Sequence, residues 1–237
     1  MEFKIYIYIT YKNIKLYMFL LTEMAKLPIS TSILFLLILL SIHSGEISLL
    51  VEAQKTWCVA KPTTTDIELQ NNLDYACSHA DCRSLRNGNA CYSSNSRLHQ
   101  ASYAMNQYYQ SHGRIDSSCD FSNTGLIAVS DPSYGNCIFD YGGNEPLAAE
   151  SNGWCVAKPM APPELLLANI NYVCGEIECS IIQANGDCYS PDNILSHASI
   201  AMNMYYVIHN KTNLSCYFNN SGIVVLNDPS YGICDYY

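Results

Sequence analysis

The twelve cysteines of this chain fall into two ladders with the same rungs. One is Cys58, Cys77, Cys82, Cys91, Cys119 and Cys137; the other is Cys155, Cys174, Cys179, Cys188, Cys216 and Cys234. The intervals are 19, 5, 9, 28 and 18 residues in both, and each cysteine of the second set lies 97 residues after its counterpart. A cross-link ties chain length to geometry, so bridged cysteines resist insertion or deletion between them. The chain is a tandem duplication of one six-cysteine module.

A module of about 80 residues buries too little apolar surface to be comfortably stable alone. Three disulfides would compensate, each contributing about 2–4 kcal/mol. An even cysteine count in short modules points to an oxidising compartment. The N-terminus agrees. Residues 33–40 (ILFLLILL) form an apolar run with a positive flank at Lys26, and Val51-Glu52-Ala53 offers small residues for cleavage. We read 1–53 as an extension (1–23) followed by a signal peptide (24–53) cut before Gln54, the alternative being a retained signal anchor. No apolar tail follows Cys234, so no lipid anchor is expected at that end. Residues 54–237 carry 8 Lys/Arg against 17 Asp/Glu, a net charge of −9. That balance speaks against nucleic acid or an anionic membrane as partner. A monomer with no cofactor and no transmembrane span in the mature chain is expected.

Each module reads as small, disulfide-rich α+β structure. Thr65-Asp66-Ile67-Glu68 fits a capping box, and Leu69, Leu73 and Ala76 follow on one face. In the second copy Pro162-Pro163-Glu164 opens the helix, with Leu166, Ile170 and Val173 on its face. A second helix is predicted over 96–111, with Leu98, Ala101, Met105 and Tyr108 as its apolar stripe; Leu195, Ala198, Met202 and Tyr205 repeat it. Short β runs at 126–130 and 223–226 precede the turn Asp-Pro-Ser-Tyr-Gly. The modules are expected at 54–139 and 154–237, joined by a linker over 140–153.

The duplication is an internal control on chemistry. Acids at Asp66, Glu68, Asp74, Asp116, Asp120 and Asp140 face Pro163, Leu165, Asn171, Asn213, Tyr217 and Tyr237. Only Asp131/Asp228 and Asp81/Glu178 hold an acid in both copies. Glycoside hydrolysis uses two carboxylates placed about 5–10 Å apart, so no catalytic residue is assigned. No C-x-x-C or His-x-x-x-His pattern suggests a metal, and an even cysteine set leaves no nucleophilic thiol. Aromatic and amide residues do recur: Trp57/Trp154, Tyr75/Tyr172, Tyr92/Tyr189, Asn106/Asn203, Tyr108-Tyr109/Tyr205-Tyr206, Phe121/Phe218 and Tyr134/Tyr231. Aromatic rings match the C–H faces of sugars, and phenols and amides match their hydroxyls. Tyr108 and Tyr205 sit on the apolar stripe and read as core, and the two tryptophans as packing on a disulfide. Tyr103, Asn106, Tyr109 and Tyr134, with Asn203, Tyr206 and Tyr231, are the candidate ligand contacts. Sequons at Asn210, Asn213 and Asn219 mark surface in the second copy and are expected glycosylation positions.

Together these motifs resemble the plant X8 domain, carbohydrate-binding module family 43. The matching residues are WCV at Trp57, the close pair Cys77 and Cys82, ASYAMNQYYQ (101–110), CDF (119–121) and SDPSYGNC (130–137). ASIAMNMYY (198–206), CYF and NDPSYGIC match in the second copy. Departures are Ser94-Asn95 for Pro-Asn, Ile200 opposite Tyr103, and Tyr217 opposite Asp120. The resemblance implies two helices and a small antiparallel sheet per module. It also implies bridges Cys58–Cys119, Cys77–Cys82 and Cys91–Cys137, with Cys155–Cys216, Cys174–Cys179 and Cys188–Cys234 in the second. It further implies a secreted, non-catalytic protein of the plant cell wall, with plasmodesmata as one expected location, that binds β-1,3-glucan, notably callose. The competing readings are an apoplastic structural or signalling protein whose modules bind protein, and an enzyme inhibitor.

Overall fold

The computed structural model describes residues 55–93, 96–142 and 153–237. The expected extension (1–23) and signal peptide (24–53), Gln54, Ser94-Asn95 and residues 143–152 of the expected linker lie outside the described residues. The first module runs β1 (Trp57–Ala60), α1 (Asp66–His79), α2 (Arg97–Ser111) and β2 (Gly125–Ala128). The second repeats it as β3 (Trp154–Ala157), α3 (Pro163–Glu176), α4 (Ile194–Ile208) and β4 (Gly222–Val225).

The helices start where local chemistry says they should. Thr65 and Glu68 form a reciprocal capping box at α1, and Pro163 occupies the first turn of α3. Ser96 caps α2 and Asn193 caps α4, each accepting a backbone N–H three residues on. Such helices are short enough to need tertiary support. The bridges supply it: Cys58–Cys119, Cys77–Cys82, Cys91–Cys137, Cys155–Cys216, Cys174–Cys179 and Cys188–Cys234.

β1 pairs antiparallel with β2 on one side only. Its other edge is closed by side chains of α2. The Cys58 N–H donates to Asn106 Oδ1 at 3.1 Å and the Ala60 N–H to Ser102 Oγ at 3.0 Å. The second module repeats both bonds, from Cys155 to Asn203 and from Ala157 to Ser199, each at 3.0 Å. A buried strand edge without partners costs about 1–3 kcal/mol per orphaned group, so these polar residues stand in for a missing strand.

The two modules share one sheet, in the order β1-β2-β4-β3. β2 meets β4 antiparallel, with Ala128 opposite Val225. These two residues occupy the same position in the two copies, so a local two-fold axis passes between them. The Val129 N–H donates to the Val224 carbonyl (2.9 Å) and the Leu226 N–H to the Ile127 carbonyl (2.8 Å). Ser130 Oγ accepts the Val224 N–H and Asn227 Oδ1 accepts the Ile127 N–H, both at 2.7 Å. The linker's first residues are also ordered: Thr56 pairs with Gly142, and the Asp140 carbonyl accepts from Asn106. The modules are thus held edge to edge by backbone hydrogen bonds, not by a tether alone.

Candidate functional site

The sites expected from the sequence are largely core. Tyr109 and Tyr206 are buried, and the Tyr109 hydroxyl bonds Thr56 Oγ1 at 2.9 Å. The stripe of α2 continues from Met105 to Tyr109, four residues on, not to Tyr108, three residues on. Both steps keep a helix face, and packing on β1 selects the first. Tyr103 is buried against Phe139, and Asn106 and Asn203 are the strand-closing amides. These five residues have no free face for a ligand, which corrects the expectation. Tyr134 and Tyr231 are half-buried in the Asp-Pro-Ser-Tyr-Gly turns, and Tyr231 lines a separate depression with Tyr189. Trp57 packs in the core, its indole N–H on the Phe139 carbonyl.

The shift of phase that buries Tyr109 turns Tyr108 outward. There it meets Tyr75 of α1 at 5.3 Å between ring centroids and Phe121 at 5.6 Å. His112 stacks on Tyr108 at 3.8 Å, one turn further along. The second module builds the same group. Tyr205 lies 5.6 Å from Tyr172, 5.3 Å from Phe218 and 3.9 Å from His209. Tyr75 and Tyr172 are 49% and 52% exposed, so each ring group is open to solvent on one side. In the first module the rings line a depression of about 400 Å³ with Asn71, Asn72, Ser117 and the carboxylate of Asp120.

The phenylalanines are placed by backbone in a rarely used conformation. Phe121, Ser122 and Asn123 have φ of 44°, 57° and 65°, and Phe218, Asn219 and Asn220 have 41°, 52° and 67°. Left-handed backbone at non-glycine residues costs about 1–3 kcal/mol each and clusters at functional positions. The surroundings hold it there. Asn72 donates to Thr124 Oγ1 (2.8 Å) and Asn169 to Ser221 Oγ (2.7 Å), and each hydroxyl in turn donates to the Phe carbonyl at 2.6 Å. The loop then folds back onto the next strand so tightly that a Cβ on Gly125 would sit 1.7 Å from the Cys119 carbonyl oxygen.

The phenol pairs are linked: Tyr75 and Tyr108 hydroxyls lie 3.3 Å apart, as do those of Tyr172 and Tyr205. That bond holds the Tyr108 phenol above its ordinary value, and pushes Tyr172, which Glu176 also faces, up to about 12. Tyr108 and Tyr172 therefore act as neutral donors and acceptors near neutral pH. A ring patch edged by hydroxyls and amides, with the acceptor Asp120 in the first module and Tyr217 at that position in the second, suits a hydroxyl-rich ligand.

Residues 56–126 and 153–223 each match the X8 domain. The chain belongs to the X8 family. It carries two X8 domains in tandem, small disulfide-stapled modules of carbohydrate-binding, generally non-catalytic type. Among its relatives, a wheat glucan endo-1,3-beta-glucosidase is 52% identical over 83 residues, covering 35% of this chain and 18% of the wheat protein. The olive major pollen allergen Ole e 10 is 50% identical over 90 residues, 37% of this chain and 73% of the allergen. An olive glucan endo-1,3-beta-D-glucosidase is 44% identical over 94 residues, 39% of this chain and 20% of the enzyme. The chain thus spans about a fifth of the length of these glucosidases, over a match about one module long. The aromatic group was visible in the sequence only as Tyr75, Tyr108 and Phe121 recurring in the second copy; their scattered positions did not mark them as neighbours.

Proposed function

We propose that this is a secreted, monomeric, non-catalytic protein of the plant cell wall that binds β-1,3-glucan, callose included, through the Tyr75/Tyr108/Phe121 and Tyr172/Tyr205/Phe218 groups. The observation that carries it is the duplicated exposed aromatic group, kept in place by repeated backbone strain that folding alone would not favour. Its relatives include enzymes named for 1,3-β-glucan, which this chain matches over about a fifth of their length. The recurring acids are engaged structurally: Asp131 and Asp228 each accept a turn N–H at 2.8 Å, Asp81 pairs with Arg83, and Glu178 accepts the Ser180 N–H. The test is retention of the mature chain on insoluble β-1,3-glucan, with cellulose as control and reducing-sugar release followed. Selective retention without turnover is expected. Equal retention on both polymers, or none, overturns the reading.

A further inference from the structure

The local two-fold creates two clefts between the modules, and the copies have diverged in them. One is lined by Asp116, Asp120 and Asn123 of the first module with Asn227 of the second, and encloses about 350 Å³. The other encloses about 410 Å³ and sets Lys55, Asp131 and Tyr141 opposite Lys158, Tyr217 and Asn220. Tyr217 holds the position of Asp120, and Asn213 at the rim that of Asp116. One cleft carries two acids and no lysine; its twin carries two lysines, two exposed tyrosines and one acid, Asp131. Tyr141 and Tyr217 are 50% and 53% exposed, and Lys55 Nζ stands 4.3 Å over the Tyr141 ring.

The lysines show what the exchange leaves undone. Lys61 and Lys158 are equivalent, both buried, and each donates to the equivalent Asn123 or Asn220. Lys61 is flanked by the charges of Asp228 and Asp120, which favour its ammonium form against burial. Lys158, 3% exposed, has Asp131 alone, because a tyrosine replaces the second acid. It donates to the Ser133 carbonyl and to Asn220, both neutral. Among the described residues no carboxylate lies within ion-pair distance of it. A buried ammonium compensated mainly by neutral acceptors is costly, and one on a cleft wall can be relieved by an incoming anion.

We propose that this cleft is a second saccharide site, for an acidic sugar of uronate type, with its pyranose ring against Tyr141 and Tyr217 and its carboxylate at Lys158 and Lys55. The cleft volume lies within the range of small-molecule sites, about 300–1,000 Å³. The chain's net −9 charge does not forbid it. At physiological salt, exposed charges more than about 8 Å away are largely screened, whereas contacts inside a cleft are not. A neutral glucan would stack equally well on the rings but leave Lys158 as it is. A small inorganic anion would compensate the lysine but leave the rings unused. The site exists only where two modules share a sheet, so a lone module cannot form it.

The experiment is calorimetric titration of the full mature chain, N-glycans removed, with an oligogalacturonide, its methyl ester and inorganic phosphate. Glucan retention is measured on the same samples. The acid should bind once per chain, about tenfold or more tighter than the ester or phosphate, and more weakly as salt rises. Tyr217→Asp, which restores the acid of the first module, should lose that preference, while Tyr217→Phe keeps it. Both variants should stay on β-1,3-glucan, which shows that they fold. Equal binding of acid and ester, binding of phosphate as tight as the oligosaccharide, or an unaltered Tyr217→Asp overturns the proposal. Loss of glucan binding with acid binding intact would instead count against the glucan reading alone.

Discussion

The first and second modules share a frame and differ in what fills it. Both close a strand with Asn and Ser from a helix, both carry three bridges at the same separations, and both strain a phenylalanine beside two tyrosines. They part at His99 against Ser196, Tyr103 against Ile200, His79 against Glu176 and Asp120 against Tyr217. The shared frame positions are those whose loss leaves a buried polar group unpaired or a loop unclosed; the shared rings Tyr75 and Tyr172 instead face solvent. Those that vary fill space or face solvent, where several residues serve. Equal frames should respond equally to damage, and unequal fillings should not.

The hardest test of the shared frame is covalent. Cys58–Cys119 and Cys155–Cys216 each join residues 61 apart. Replacing either pair by alanine should cost about 4 kcal/mol, against about 2 kcal/mol for the short loops at Cys77–Cys82 and Cys174–Cys179. Urea unfolding checks this, and a markedly unequal loss between the two long bridges would break the equivalence.

The sharpest expected difference is in acid. His99 is buried, its Nε2 on the Cys91 carbonyl and its Nδ1 without a partner, and burial pushes it down to about 4 from an ordinary 6.5. The unfolded chain takes up this proton near 6.5 and the folded one only near 4. The stabilisation is therefore whole above 6.5 and lost as pH falls through that window, about 3 kcal/mol in all. The second module has Ser196 there. His99→Ser should flatten the acid limb of the stability–pH curve; an unchanged limb would show that this histidine does not govern it.

Smaller, and again symmetric, is the strand closure. Asn106→Ala strips a partner from the Cys58 N–H and the Asp140 carbonyl, and Asn203→Ala from the Cys155 N–H and the Tyr237 carbonyl. Each should cost about 2–3 kcal/mol. Thermal unfolding of the two variants should shift alike.

How much of this could be read beforehand follows from the kind of signal each feature leaves. Cysteine spacing carries the duplication outright, and the Thr65–Glu68 box and Pro163 mark helix starts within a residue. The strands at Trp57–Ala60 and Trp154–Ala157 leave no such mark, because nearly every side chain is buried and no alternation shows. The choice between Tyr108 and Tyr109 as core rests on one residue of helical phase, which spacing alone leaves open. The β2–β4 join left only Ser130 and Asn227, two ordinary polar residues at one repeated position. Edge pairing depends on backbone groups that every sequence has.

The central claim is that the exposed aromatic groups hold the glucan, and exchange of their outermost rings tests it most directly. Tyr75 and Tyr172 are surface residues, so Tyr75→Ala and Tyr172→Ala should leave folding intact. Losing one such ring contact is worth about 1–1.5 kcal/mol, close to tenfold in affinity for the module concerned. Depletion binding of the full mature chain to insoluble β-1,3-glucan should fall with either change and nearly vanish with both. Undiminished binding by the double variant would contradict the account.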